Sequence, residues 1–442
     1  MFSYAITNPK ERRWLFGLMT FVLVMSVSIV LYYGDHFLLG DPNHPNNDDV
    51  KYIQTAKLML SEGTLSYNTG TDPSAFIMPG FPLILSGFLA VFGQDGGGVI
   101  AFRLFQCLLQ AGSLYLIFII ARYVFNARIA LLACILSALY PPDYFSSGVI
   151  LSESIFRIVI LLLVCSLITA VQSKRSGWYM LIGALTAAAA YFKPQASLFP
   201  AVLLMLWWKE KYTWKEMLKY TCIIVLTYMV LLSPWWIRNI ITFERFILFT
   251  DSGGSPFLLG TQIFNWNPPT GFFEAYPQYD PATIYHGADS EAIAKGMAIL
   301  KYGFTHEPLL YLLWYTIGKL IGLYFEAYYW LPILGVGLVE AHILQALLVG
   351  LSTAGMIMSR KFSGRRKRLP LLLTITYFTL IYVPFIAFSR YGYPNMAFLL
   401  MYTAAAVEYL IHPSDYKLRT KVSKQQRKAN SDHSKEARDR TA

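Results

Sequence analysis

The chain has 442 residues, 55% hydrophobic and 14% charged, with 37 Lys and Arg against 26 Asp and Glu and a formal net charge of +11. A soluble protein of this length would carry about a quarter charged residues, and apolar windows recur at the roughly 20-residue length that crosses a hydrocarbon core. A soluble globular fold is excluded, and a polytopic all-α membrane protein is expected, because lipid forces each span to satisfy its own backbone hydrogen bonds.

The first apolar segment, near 14–33, is too long for a signal-peptide core, and no small-residue cleavage site follows in Tyr32-Tyr33-Gly34-Asp35-His36, so it reads as an uncleaved anchor. Beyond it comes the polar, acidic run Asn46-Asn47-Asp48-Asp49-Val50-Lys51-Tyr52. Further spans are expected near 99–121, 128–146, 154–172, 177–192, 195–209, 219–237, 339–358, 369–388 and 394–411, about ten in all. Residues Pro308 to Trp330 are apolar enough to span, but a crossing there would put Arg360 and its basic neighbours on the wrong side. They are read as an interfacial helix, which suits Trp314, Lys319, Tyr324, Tyr328, Tyr329 and Trp330. The alternative is a further short crossing around Leu331–Glu340.

Charge sets the sides. Basic clusters flank the spans at Lys10 to Arg13, Arg122 and Arg128, Lys174 and Arg175, Lys209 to Lys219, and Arg360 to Arg368, and the positive-inside bias places them in the cytoplasm. The same placement gives no case for nucleic-acid binding. Between Gly34 and Gly98 seven acidic residues face two lysines, so this segment is placed outside, as is the one that follows residue 239. The expected organisation is a transmembrane domain over 1–411, with large outer loops near 34–98 and 239–338 holding interfacial helices, and a basic disordered cytoplasmic tail over 412–442. Both termini are then cytoplasmic. Cys107, Cys134, Cys165 and Cys222 lie singly in apolar stretches, without metal spacing or a disulfide framework.

Chemistry-bearing residues collect at the outer ends of the spans. Asn46 or Asn47 can cap a helix that Asp48 and Asp49 begin, and acidic residues there suit the helix dipole. Tyr52, four residues after Asp48, shares its face. Glu153 sits at an outer junction, where an ion pair with Arg157 one turn on is the plain alternative. Lys193, before Pro194, stands against the positive-inside bias and points to an anionic ligand or to snorkelling. Arg238 and Arg390 emerge on the same side, where guanidinium groups bind phosphate through forked hydrogen bonds or anchor an aromatic belt. Carboxylates and cations at one face suit transfer of a group from a lipid-linked phosphate.

The stretches Asp48-Asp49-Val50-Lys51-Tyr52, Pro79-Gly80-Phe81-Pro82-Leu83, Leu151-Ser152-Glu153, Phe192-Lys193-Pro194, Pro234-Trp235-Trp236-Ile237-Arg238-Asn239, Ser252-Gly253-Gly254 and Ser389-Arg390-Tyr391 together resemble bacterial GT-C glycosyltransferases related to protein O-mannosyltransferases and lipid A aminoarabinose transferases. The resemblance implies a GT-C fold and an inverting transferase at the outer face of the plasma membrane that uses a polyprenyl-phosphate sugar. It implies Asp48, by its spacing from Tyr52, as the catalytic carboxylate, with Asp49 at a position often held by glutamate. It places Lys193, Arg238 and Arg390 near the lipid phosphate, and Tyr52, Glu153, Ser252, Gly253, Gly254 and Tyr391 around the sugar or acceptor. The acceptor is an extracytoplasmic lipid, glycan or protein, and membrane lipid surrounds the chain. No cofactor is expected, although Asp48, Asp49 and Glu153, or His44, offer ligands to a divalent cation. The rival readings are a lipid-linked saccharide transporter, or a ligase or polymerase consuming a diphosphate-linked donor.

Overall fold

The computed structural model describes residues 2–279, 289–361 and 363–413; the basic tail expected from 412 lies, from 414 onward, outside them. The described residues form an all-α protein without strands, containing only two isolated bridges, Ile263 with Asn267 and Ile333 with Val336. In chain order the helices are α1 (Pro9–Tyr33), α2 (Asp48–Ser61), α3 (Gly80–Phe92), α4 (Gly97–Val124), α5 (Ala127–Ala138), α6 (Pro141–Gly148), α7 (Glu153–Ser173), α8 (Ser176–Ala190), α9 (Val202–Lys209), α10 (Trp214–Phe243), α11 (Gly254–Thr261), α12 (Phe272–Ala275), α13 (Asp289–His306), α14 (Pro308–Leu313), α15 (Leu338–Met358), α16 (Arg365–Leu380) and α17 (Ser389–Ile411).

Among the described residues seven helical stretches are long and apolar enough to cross a membrane: Pro9–Phe37, Gly97–Val124, Glu153–Ser173, Trp214–Phe243, Pro308–Phe325, Leu338–Lys361 and Ser389–Ile411. The chain is therefore a multipass membrane protein. The expected span at 128–146 is a pair, α5 and α6, bent by 56° where Pro141 and Pro142 start the second helix. The expected spans at 177–192 and 369–388 are shorter, as the 15-residue α8 and the 16-residue α16. The one expected at 195–209 divides into two 3₁₀ turns at Pro194 and Pro200 and the eight-residue α9. The stretch read as interfacial continues α14 through two π turns, Trp314–Gly318 and Ile321–Phe325, and has the length and apolarity of a span.

Helix α17 is central. Every residue from Gly392 to Ala406 is buried, against α15, α5 and α7. Small residues permit this close approach: a Cβ on Gly355 would collide with the Tyr402 backbone, and one on Gly392 with the Leu323 carbonyl. Helix α10 is peripheral, with Val225, Leu226, Val230, Ile237 and Ile241 outward, a face that suits lipid. The basic clusters meet at one end. Arg122 donates to the Ser3 and Ala5 carbonyls, Lys174 pairs with Glu216 at 2.8 Å, and Arg366 pairs with Glu210 at 3.7 Å. The opposite end gathers α2, the start of α7, the end of α8 and the start of α17.

Candidate active site

Asp48 is the first residue of α2. Asn47 occupies the cap position in extended backbone, but its side chain makes no capping bond; Asn46 instead accepts from the Asp41 amide at 3.0 Å. The first-turn position turns adjacent carboxylates in different directions. Asp49 faces inward, fully buried, and its Oδ2 accepts from the Leu39 amide at 2.6 Å. Asp48 faces a cavity with 41% of its side chain exposed. Its Oδ2 accepts from Arg390 Nη1 at 2.8 Å and its Oδ1 from the Tyr67 hydroxyl at 2.7 Å.

Arg390, at the start of α17, is shared. Its Nε donates to Glu153 Oε1 at 3.0 Å, and the same oxygen accepts from Lys193 Nζ at 2.8 Å. Glu153 begins α7, and Lys193 follows α8 in extended backbone before Pro194. Four charges thus form one chain, Asp48, Arg390, Glu153, Lys193, with two of each sign. Lys193 also lies over the Tyr391 ring, 4.8 Å from its centroid. Burial alone would raise the Asp48 pKa, but Arg390, the Tyr67 hydroxyl and Lys51 outweigh it and hold the carboxyl below its ordinary value. Burial lowers the Lys193 pKa despite Glu153. Burial, then the Asp48 charge, raises both Tyr52 and Tyr67, so both phenols stay protonated.

The cavity has a volume of about 650 Å³. Asp48, Lys51, Lys193 and Arg390 line its charged side, with Tyr52, Ser252, Gly253 and Tyr391 beside them, while Phe76, Met78, Phe192, Leu259 and Phe385 make an apolar wall. Tyr52 packs on Phe81, with ring centroids 4.7 Å apart. Ser252 donates to the Phe76 carbonyl at 2.6 Å, tying the loop before α11 to the segment before α3.

Several residues fall elsewhere than the sequence places them. Arg238 is turned away: it donates to the Ser74 carbonyl at 3.0 Å, the Leu65 carbonyl at 3.4 Å and the Asn239 side chain at 2.9 Å, and does not line the cavity. The buried carbonyls of the loop between α2 and α3 need donors, and Arg238 supplies them. Asp49 does not line it either. Gly254 stands behind the wall, its amide bonded to Asp289 Oδ1 at 2.5 Å. The alternative pair of Glu153 with Arg157 does not form; Arg157 pairs with Asp143 inside the helix bundle. Tyr67, which sequence reading gave no site role, is a direct partner of Asp48. The 18 residues between them contain the rest of α2 and a turn, and no spacing rule joins such positions. Among the described residues no group of three His, Cys, Asp or Glu side chains is placed to hold a metal ion, and the exposed His44 lies 3.8 Å from Asp41.

Comparison with protein families matches residues 73–237 to the dolichyl-phosphate-mannose-protein mannosyltransferase family. The matched stretch includes Glu153 and Lys193 but not Asp48, Arg238 or Arg390. A comparison with curated proteins finds no match. Among solved structures, ArnT from Cupriavidus metallidurans bound to undecaprenyl phosphate is similar at 14% identity, over 87% of this chain and 60% of that one, with a TM-score of 0.50. The archaeal oligosaccharyltransferase AglB from Archaeoglobus fulgidus, in complex with an inhibitory peptide and a dolichol-phosphate, is similar at 14% identity over 93% of this chain and 52% of that one, with a TM-score of 0.53. The apo oligosaccharyltransferase of the same organism gives 12% identity over 92% and 51%, with a TM-score of 0.55. The chain spans between half and three-fifths of the length of these proteins. The resemblance to GT-C enzymes read from the sequence is borne out by the family match and by this shared fold.

Proposed function

We propose that the chain is a membrane glycosyltransferase that moves a sugar from a polyprenyl-phosphate carrier to a hydroxyl of an extracytoplasmic lipid, cell-wall glycan or protein. One observation carries this reading: an ionised carboxylate, Asp48, and three cations, Lys51, Lys193 and Arg390, converge on a cavity whose other wall is apolar. That combination suits a substrate with a phosphate at one end and a hydrocarbon chain at the other. The polyprenyl phosphates named with ArnT and AglB support the same donor class.

In this reading the acceptor oxygen forms a bond to the anomeric carbon as the bond from that carbon to the phosphate oxygen breaks. Asp48 takes the hydroxyl proton, and the carrier leaves as polyprenyl phosphate with its charge met by Arg390 and Lys193. Attack from the side opposite the phosphate inverts the anomeric centre. A donor phosphate competing for Arg390 would relax its hold on Asp48 and return basicity to the carboxylate. The outer face is favoured because the basic clusters lie at the other end of the helices. With the candidate charges gathered at one end rather than at several depths, a transporter is the weaker reading.

The test is Asp48→Asn in membranes supplied with radiolabelled polyprenyl-phosphate sugars. Release of polyprenyl phosphate should fall by about 10²–10⁴, the usual contribution of a general base, while the protein stays folded. Wild-type rates in that variant would remove Asp48 from the chemistry.

A further inference from the structure

Lys319 lies between the two π turns that continue α14, and it is fully buried. It forms no ion pair among the described residues. An ammonium group in such a place is costly unless its protons are used. They are: Nζ donates to the Gly260 carbonyl at 2.7 Å and the Phe385 carbonyl at 2.6 Å, and the charge lies over the Trp314 ring, 4.8 Å from its centroid. The two carbonyls belong to neighbouring elements of the cavity's apolar wall, packed so closely that a Cβ on Gly260 would collide with the Phe385 backbone. Gly260 is in α11, which supplies Leu259 to the wall, and Phe385 is in the irregular strap that leads into α17 and Arg390.

The rest of the strap is held in the same manner. The Ile386 amide donates to the Pro256 carbonyl at 2.8 Å, and the Asn265 side chain closes two bonds of 3.1 Å on the amide and carbonyl of Ala387. Asn265 reaches it from a tight turn in which Phe264 and Asn265 both adopt positive φ, +51° and +67°. A conformation so unfavourable for a bulky side chain persists only where its surroundings enforce it. Close backbone contact completes the seating: a Cβ on Gly322 would lie 2.6 Å from the Ala387 carbonyl oxygen. No regular ladder fixes the strap; separate elements hold it, and the Lys319 side chain bonds to α11 and to the strap at once.

We propose that Lys319 is a positioning residue: its buried ammonium clamps the strap against α11, and thereby sets where Arg390 presents its guanidinium to an anionic ligand. The proposal rests on the reading that Arg390 meets the donor phosphate, but it has a readout that needs no donor. The experiment compares full-length wild type, Lys319→Met, which keeps the shape and loses both bonds, and Asn265→Ala, which frees Ala387 and leaves the ammonium untouched. Hydrogen exchange is followed at the amides of residues 386–391, and binding of undecaprenyl phosphate by native mass spectrometry.

For Lys319→Met, exchange in this segment should quicken and the undecaprenyl phosphate Kd should rise, each by about tenfold or more, from the loss of two charge-assisted bonds. Exchange in α4 and α7 should not change. Asn265→Ala should show the same pattern more weakly, and it decides the matter should Lys319→Met fail to fold. Exchange at 386–391 within twofold of wild type overturns the proposal, and so does faster exchange with an unchanged Kd. Absence of undecaprenyl phosphate binding by the wild type would sink the donor reading alone, and exchange at Arg390 and Tyr391 would then decide the role of Lys319.

Discussion

At the scale of single residues, Asp48 has each oxygen engaged by a different partner, and the two differ in what their removal should do. Tyr67→Phe deletes the 2.7 Å hydrogen bond at Oδ1 and leaves the Arg390 pair at Oδ2. The pKa of Asp48 lies below its ordinary value in the folded protein, so stability linked to its ionisation is present above the unfolded value of about 3.9. It is lost as pH falls through the lower folded value. In Tyr67→Phe the folded value moves up, and the acid limb of the rate profile should shift to higher pH with it. On the neutral plateau the transfer rate should change by less than about tenfold, because the more basic carboxylate offsets the loss of an orienting hydrogen bond. A pH–rate profile superposable on wild type would show that Tyr67 does not tune the carboxylate. Arg390→Ala is harsher, because it leaves Glu153 Oε1 with Lys193 alone. Breaking such a buried pair costs about 3–5 kcal/mol, so thermal unfolding in detergent should drop well below that of Tyr67→Phe. Parity between the two would mean that the ion chain does not hold this end of the bundle together.

The element scale separates what spacing reveals from what it hides. Tyr52 falls on the Asp48 face of α2 because four residues make one helical turn, and both line the cavity. Glu153, Lys193 and Arg390 were each legible as charges at span ends, but their union was not: the bonds that join them bridge sequence separations of 40 and 237 residues. Arg238 shows the opposite limit. Its place at the end of α10 is as expected, yet position on a helix does not say whether a guanidinium points at a cavity or at loop carbonyls. Arg238→Ala should therefore loosen the loop between α2 and α3, seen as faster proteolysis there, with undecaprenyl phosphate binding changed much less than in Arg390→Ala. Equal losses of binding in the two variants would return Arg238 to the phosphate site. Glycines give a cleaner contrast. Gly355→Ala would drive a Cβ into the Tyr402 backbone, whereas Gly350 on the same helix has open space. The first should destabilise by about 1–3 kcal/mol and the second should be neutral or slightly stabilising. Equal melting temperatures would show that α15 and α17 are not packed this closely.

For the whole molecule, the apolar belt and the multipass character were legible because lipid imposes a length and a composition on every crossing. The number of uninterrupted spans was less so. Proline-interrupted stretches such as 195–209 satisfy a hydropathy window without forming one helix, and the π turns after α14 leave a stretch that amphipathic reading lays on the interface. Sidedness is the property on which the acceptor depends. The candidate site and the basic clusters occupy opposite ends, so two exposed positions can report it: Thr71, in the turn that follows Tyr67, and Lys215, at the start of α10. Cys222 is exposed, whereas Cys107, Cys134 and Cys165 are buried, so replacing Cys222 by Ser leaves a background suited to added cysteines. With a membrane-impermeant maleimide on intact cells, Thr71→Cys should label at once, and Lys215→Cys only after the membrane is opened. The reverse pattern would put Asp48 and its cavity in the cytoplasm. Lipid-linked donors facing outward would then be out of reach, and an extracytoplasmic hydroxyl could not be the acceptor.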